Sequence, residues 1–201
     1  MIAHTLRLLC LLLVLLPLGS QAGAPTEQLQ TTIDSVLALL KQNSNAPPTD
    51  AIKKLVSDRF DCAEMSRIAL GTHWAALSTA QQQEFSALFQ QLLERSYLQQ
   101  MQTYTNETVV YQQEVLSTKG DKAKVATAIA RSNGKIPVVY SLMAKSTATG
   151  VQWLVYDVQI EGIRLVQNYR NNFNEVLTKQ GYAALVKQLQ DKIATFNNPV
   201  S

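Results

Sequence analysis

The sequence predicts an α+β domain, with N-terminal helices, a curved antiparallel sheet and C-terminal helices, in which the sheet curls around the helices. Apolar residues recur at three- and four-residue steps in the first half of the chain and again near its end, which indicates helices. Between these parts lie four short segments rich in β-branched residues, divided by turn signals. Short connections make such a sheet antiparallel, and helices grouped before and after it are typical of the α+β class.

The first two helices are predicted over 26–41 and from Thr49 or Asp50 to Phe60, on either side of a turn cluster at 43–48. Apolar residues on the first helix fall at the spacing of one helical face. These residues are Leu29, Ile33, Val36, Leu37 and Leu40.

Two capping signals predict the next two helices. Asp61 with Glu64 resembles the capping box of a short third helix. Ser78 with Gln81 repeats the signal for a long fourth helix, which we expect to reach about residue 102. The apolar stripe of that helix consists of Phe85, Leu88, Phe89, Leu92, Leu93 and Tyr97.

The middle of the chain is predicted to form about four strands, over 108–116, 123–131, 136–145 and 151–160. The pair Asn133-Gly134 is a strong hairpin signal, because both residues tolerate positive φ. Two closing helices are predicted over 168–179 and 182–196.

The last two strands carry apolar residues on both sides, whereas a sheet with one wet face alternates apolar and polar residues. One interpretation is a sheet covered by helices on both faces. The other is an apolar cavity between sheet and helices that stays open for a ligand. The pattern alone leaves both interpretations open.

The N-terminus matches a secretory signal peptide. A basic residue precedes the apolar run 8–16, and small residues follow at Ser20 and Ala22. The run is shorter than the roughly 20 apolar residues that span a bilayer, although a retained anchor is the alternative interpretation. We therefore predict that 1–22 is a signal peptide and that 23–201 forms one exported domain.

Composition and cysteine count exclude several classes of protein. The net charge is only +3 and no concentrated basic run occurs, so we expect no nucleic-acid partner. Cys10 would leave with the signal peptide, and Cys62 is then expected to be a small buried apolar residue, with a reactive thiol as the alternative. With His73 as the one remaining histidine and no glycine-rich nucleotide motif, we predict no metal and no cofactor.

Asp157 and Glu161 could pose as an acid–base pair, but residues four apart in a strand are separated by roughly 13 Å. We expect Asp157 to bond to backbone or to an arginine instead, and we predict that the protein is not an enzyme. An enzyme of the steroid-isomerase type, on a similar curved sheet, is the alternative. It would need a carboxylate of raised pKa inside a cavity.

Two stretches of the chain together resemble the MlaC family, also called the toluene-tolerance family. The first contains Phe60-Asp61, Met65, Leu70-Gly71, Trp74 and the apolar stripe of the fourth helix. The second contains the string W-x-V-Y-D-V-x-x-E-G over 153–162, followed by Ile163, Leu165-Val166, Tyr169-Arg170, Phe173 and Gly181. The sequence departs from the family pattern at Arg164, where a serine is common, and at Cys62, where an aromatic residue is common.

The resemblance implies a monomeric periplasmic carrier that shuttles phospholipid between the outer and inner membranes and so maintains outer-membrane asymmetry. The implied partners, contacted transiently, are an outer-membrane lipoprotein–porin complex and an inner-membrane ABC transporter with an MCE-domain ring. Acyl chains are expected between sheet and helices, with the head group outside. A hopanoid or another apolar ligand is the alternative cargo, and an adaptor without any ligand is the alternative role.

Such a cavity needs aliphatic and aromatic walls, because a charge placed among lipid tails is costly. The predicted lining contains no charged residue, although each member could also be an ordinary core residue. From the helices we predict Leu70, Trp74, Phe89, Leu92, Leu93 and Tyr97. From the sheet we predict Val139, Tyr140, Leu154, Tyr156 and Val158.

Overall fold

The computed structural model describes residues 24–42, 49–98, 107–132 and 134–197. The predicted signal peptide, the turn cluster at 43–48 and Asn133 lie outside these residues. Within them the chain folds into helices, then an antiparallel sheet, then helices, so the predicted α+β class is confirmed. None of the helices in these ranges is long and apolar enough to cross a membrane.

Six α-helices occur within the described residues. They are α1 (Ala24–Gln42), α2 (Asp50–Arg59), α3 (Cys62–Leu70), α4 (Thr79–Leu93), α5 (Leu165–Gln180) and α6 (Tyr182–Asn197). A 3₁₀ turn at Gly71–Ala76 follows α3, and a π-helical turn at Glu94–Leu98 extends α4. The predicted end of the fourth helix near residue 102 lies outside the described residues.

The capping residues begin α3 and α4 where the sequence predicts. Ser78 Oγ accepts from the Gln81 backbone N–H (3.3 Å), and Gln81 Oε1 accepts from the Ser78 N–H (2.9 Å), which completes a capping box. Asp61 accepts from the Glu64 N–H (3.1 Å), but the Glu64 carboxylate pairs with Arg67 (2.6 Å) instead of reaching back. The second box is therefore only half formed.

The sheet has five strands in the order β1-β2-β3-β4-β5, each antiparallel to the next, one more strand than predicted. The strands are β1 (Thr108–Leu116), β2 (Lys122–Arg131), β3 (Gly134–Thr147), β4 (Gly150–Ile160) and β5 (Ile163–Arg164). The fifth strand has only two residues, too few for a periodic sequence signal. Phe60, at the end of α2, adds a parallel bridge to Val155 and ties the helices to β4.

The apolar core is divided between the helices and the sheet. In the helical cluster, Phe85 and Phe89 have no exposed surface, and both rings contact the ring of Phe173 on α5, at 5.6 and 5.5 Å between centroids. In the sheet cluster, Leu142 and Val155 are likewise fully buried. Phe60 is partly buried and packs against both clusters.

The two faces of the sheet differ in burial. The inner face carries the sheet cluster and packs against Leu29 of α1. On the outer face, Leu154 and Tyr156 are half-buried and Val110 is 43% exposed. A layer of helices packed over these three residues would bury them more completely. None of the apolar clusters found in the described residues includes a side chain of the outer face.

Polar contacts hold the helices at their distance from the sheet. The Arg59 guanidinium donates to the Trp153 carbonyl (2.6 Å), to Gln28 Oε1 (3.1 Å) and to Thr32 Oγ1 (2.9 Å). This one side chain therefore joins α1, α2 and β4. Such charge-assisted bonds are among the stronger polar contacts in proteins. They therefore fix how α1, α2 and β4 lie relative to one another.

Candidate ligand-binding cavity

A cavity of about 360 Å³ lies between the helices and one end of the sheet. Its volume falls within the range of roughly 300–1,000 Å³ that is usual for small-molecule sites. Helix α1 contributes Leu29, Ile33, Val36, Leu37 and Leu40 to the wall. The sheet contributes Val109, Ile129, Val138, Tyr140, Val158 and Ile160.

The wall formed by α1 is the apolar stripe that the sequence shows. The stripe does not close onto the sheet along its whole length, because its two ends pack in different places. Leu29 is buried in the sheet cluster, whereas Val36 and Leu40 pack against Ile52 of α2. The part between, around Ile33, is left partly buried and faces the cavity.

A second helical wall comes from α4 and the π-helical turn that follows it. Gln90, Leu93, Glu94 and Tyr97 line the cavity at steps of three and four residues, which is one face of a helix. Phe85 and Phe89 lie on the neighbouring side of α4 and are buried in the helical cluster, against which Leu93 also packs.

Three titratable groups in the wall have pKa values raised by burial. Burial raises the pKa of the Cys62 thiol to about 11, with smaller contributions from the negative charges of Glu94 and Asp61. Burial also raises the pKa of the Tyr97 and Tyr140 hydroxyls to about 12. Because desolvation disfavours the charged forms, all three side chains are neutral near pH 7 and suit an apolar wall.

Four charged residues also line the cavity, in contrast to the uncharged lining that the sequence predicts. Arg59 uses its guanidinium to join α1, α2 and β4. Arg131 faces Glu107 at 3.5 Å, at the end of the sheet where β1 begins and β2 ends. The fourth is Glu94, which accepts a hydrogen bond from Gln90 Nε2 (2.9 Å).

Four of the predicted lining residues lie in the cavity wall, namely Leu93, Tyr97, Tyr140 and Val158. The other four helical residues do not line it. Leu70, Phe89 and Leu92 are buried in the helical cluster, and Trp74 packs against that cluster. The physical reason is that one edge of the apolar stripe of α4 is buried in the helical cluster and the other edge meets the cavity. The sequence does not say which residues of the stripe lie at which edge.

Val139, Leu154 and Tyr156 do not line the cavity either, because they lie on the outer face of the sheet. Val139 alternates with the inward residues Val138 and Tyr140. Asp157 of β4 pairs with Ser141 of β3, and Val155 pairs with the next residue, Leu142. Tyr156 is therefore an extra residue without a partner in β3. This bulge shifts the alternation, so Val158 points inward although a regular strand would place it with Leu154 and Tyr156.

The α1 stripe was not predicted to line the cavity, although it forms one of its walls. Its periodicity was a usable signal, but the same pattern describes a helix packed directly onto a core. Val109, Ile129 and Ile160 were also missed, since single residues near strand ends carry no signal of a cavity. Leu165, at the start of α5, closes the wall beside them.

Asp157 does not line the cavity. It is 1% exposed, and its carboxylate accepts from the Val158 and Val166 backbone N–H groups (both 3.0 Å) and from Arg164 (2.8 Å). These are the backbone and arginine partners that the sequence predicts for it. The described residues also contain no group of three or more His, Cys, Asp and Glu side chains that could hold a metal ion.

The fold and the site together define an α+β domain that encloses an apolar cavity between a helical layer and an open sheet. A family model described as MlaC protein matches residues 30–191. The chain therefore belongs to the MlaC family, as its sequence pattern indicates.

Individual relatives agree with this assignment. The chain is 26% identical over 122 residues to the "Intermembrane phospholipid transport system binding protein MlaC" of Haemophilus influenzae, a match that covers 60% of this chain and 56% of that protein. It is 25% identical over 190 residues to the "Toluene tolerance protein ttg2D" of Pseudomonas putida, covering 90% and 86% of the two chains.

A solved structure has the same fold. It is the phospholipid-binding protein from Ralstonia solanacearum in complex with a phospholipid, at 1.53 Å resolution. The TM-score is 0.77 at 25% identity, and the match covers 88% of this chain and 100% of that one.

Proposed function

We propose that this protein is a phospholipid carrier that holds acyl chains in the cavity and moves lipid between two membranes. The observation that carries the proposal is the open apolar cavity of about 360 Å³, bounded by α1, α4 and the inner face of the sheet. A fold of the same kind binds a phospholipid in the Ralstonia solanacearum protein, which supports phospholipid as the cargo.

The need for a carrier follows from the cost of exposing acyl chains to water. At about 0.8 kcal/mol per CH₂, two chains of about 16 carbons face roughly 25 kcal/mol on leaving a bilayer. A barrier of that size makes spontaneous transfer very slow. A protein needs no reactive group to lower this barrier. It needs only a cavity whose walls are about as apolar as the bilayer. We propose accordingly that the protein binds lipid without catalysing a reaction.

Among the predicted residues, we propose that Leu93, Tyr97, Tyr140 and Val158 contact the acyl chains together with the α1 stripe. The Cys62 thiol and the Tyr97 and Tyr140 hydroxyls are neutral near pH 7, since burial raises the pKa of each. They therefore add no charge that would oppose a lipid tail.

For place and partners we propose the periplasm of a Gram-negative cell, reached through the signal peptide predicted at 1–22. The name of the Haemophilus influenzae relative, an intermembrane transport system binding protein, supports partners at both membranes. We propose that these are an inner-membrane ABC transporter complex and an outer-membrane lipoprotein–porin complex, met in turn by a monomeric carrier.

A cavity-filling substitution tests the proposal. Ile33→Trp places a large ring in the cavity beside the sheet, where it should exclude acyl chains and yet leave the packed ends of α1 in place. Ala38→Trp is the matched control, because Ala38 is exposed on the same helix. The assay is transfer of labelled phospholipid from donor to acceptor vesicles.

We expect wild type and Ala38→Trp to accelerate transfer, and Ile33→Trp to give a rate near that of vesicles alone. Circular dichroism should show that all three proteins are folded. Equal transfer by Ile33→Trp and wild type would contradict the placement of lipid in this cavity. Failure of the wild type to bind or move phospholipid, when a hopanoid is bound instead, would favour the alternative cargo.

A further inference from the structure

Glu94 is the one acidic group of the cavity wall that the described residues leave without a salt bridge. Arg59 is committed to acceptors on α1 and β4, and Arg131 pairs with Glu107. Among the described residues, the hydrogen-bond donor to Glu94 is the neutral Gln90 amide, at 2.9 Å from its Oε1. A carboxylate that faces an apolar space without a cation is costly, so its presence calls for an explanation.

The backbone directs Glu94 toward the cavity. It belongs to the stripe Gln90, Leu93, Glu94 and Tyr97, and it is the first residue of the π-helical turn that extends α4. Its side chain is half-buried. The negative charge acts on the cavity wall, since it is one of the causes that raise the pKa of the Cys62 thiol.

We propose that Glu94 recognises the ammonium group of an amine-bearing phospholipid, so that the cavity selects zwitterionic over acidic lipids. This inference rests on the proposed function. An ammonium would donate a charge-assisted hydrogen bond to the carboxylate, which is stronger than a neutral one. A lipid with a glycerol head group has a net negative charge and no cation, so Glu94 would repel it.

The other charges of the wall fit a zwitterionic head group. Arg131 is 46% exposed in its side chain and carries positive charge at the end of the sheet, while its partner Glu107 is 11% exposed. A phosphate could approach the exposed guanidinium as the ammonium approaches Glu94. The cavity therefore presents both signs of charge beside an apolar interior, and a purely apolar ligand would use neither.

The experiment compares the lipids taken up by wild type and Glu94→Gln. Delipidated protein is incubated with vesicles of equal parts phosphatidylethanolamine and phosphatidylglycerol, re-isolated, extracted and analysed by mass spectrometry. For a partly buried ion pair we expect wild type to enrich phosphatidylethanolamine roughly threefold to tenfold over the vesicles. Glu94→Gln should return the ratio to that of the vesicles.

Two further variants sharpen the result. Glu175→Gln removes a carboxylate from the exposed surface of α5 and should keep the wild-type ratio. Glu94→Lys should shift the preference toward phosphatidylglycerol.

A wild-type lipid ratio equal to that of the vesicles would overturn the inference. An unchanged ratio in folded Glu94→Gln would overturn it as well. In both cases lipid bound to the protein would still support the proposed carrier function. Absence of lipid from every protein, including wild type, would overturn both proposals.

Discussion

Cys62 shows at the level of one residue how the cavity wall controls chemistry. Its thiol lines the cavity at the start of α3, and its pKa is raised from 9.0 to about 11, mainly by burial. Only the thiolate reacts readily with alkylating agents. At pH 8 the thiolate fraction should be about 100-fold below that of an unburied cysteine, because two pKa units separate them.

We therefore predict slow alkylation of Cys62 in the folded protein, with a rate that rises about tenfold per pH unit between pH 8 and pH 10. Peptide mass spectrometry after iodoacetamide treatment measures the modification at this residue. Bound phospholipid should slow it further by occupying the space beside the thiol. A rate that levels off near pH 9 in the folded, lipid-free protein would contradict the buried wall position.

The sequence predicts the character of this residue but not its neighbours. A lone cysteine in an apolar context is expected to be small and buried, and Cys62 is half-buried with a neutral thiol. Glu94 raises the pKa of the Cys62 thiol because α3 packs against α4, although the two helices are separated along the chain. No local pattern contains this information.

At the level of an element, the start of α5 depends on Asp157. The carboxylate accepts from the Val166 N–H in the first turn of the helix and from the Val158 N–H in its own strand, and it pairs with Arg164. Because Asp157 is 1% exposed, it joins β4, β5 and α5 in a site that water hardly reaches. Arg164, the departure from the family pattern, thus has a structural role here.

We predict that Asp157→Ala lowers the free energy of unfolding by about 2–5 kcal/mol, because two buried backbone N–H groups lose their acceptor at about 1–3 kcal/mol each. Arg164→Gln should cost about 1 kcal/mol or less, because the arginine side chain is 51% exposed and Asp157 keeps its two backbone donors. Urea denaturation measures both values. Equal losses for the two variants would contradict the backbone bonds as the main contribution.

Helix boundaries could be predicted because their signals are local, whereas the strand faces in β4 could not. Ser78 and Gln81 form the predicted capping box within four residues. In β4 the bulge at Tyr156 reverses which side chains face inward, and nothing in the run Leu154 to Val158 marks it. The bulge arises from the pairing of β4 with β3, so the sequence groups Val158 with Leu154 and Tyr156, whereas the structure places Val158 alone of the three in the cavity wall.

At the level of the whole molecule, the helices and the sheet form separate apolar clusters, and the cavity lies where they do not pack together. The rings around Phe89 and Phe173 fill the helical cluster, and the inner face of the sheet forms the other. Helix α1 runs from Leu29 in the sheet cluster to Val36, which packs with Ile52 of α2, and Ile33 between them is only partly buried against the sheet cluster and lines the cavity. Sequence predicts the amount of apolar material in each element, but whether facing elements meet or stay apart depends on their relative placement.

The central claim is that the cavity between α1, α4 and the sheet holds lipid, and native mass spectrometry tests it most directly. Protein isolated from a Gram-negative periplasm should carry an added mass equal to one phospholipid, and this mass should disappear after organic extraction. A protein that matches the mass of the bare polypeptide in every such preparation, and takes up no lipid from vesicles, would contradict the account.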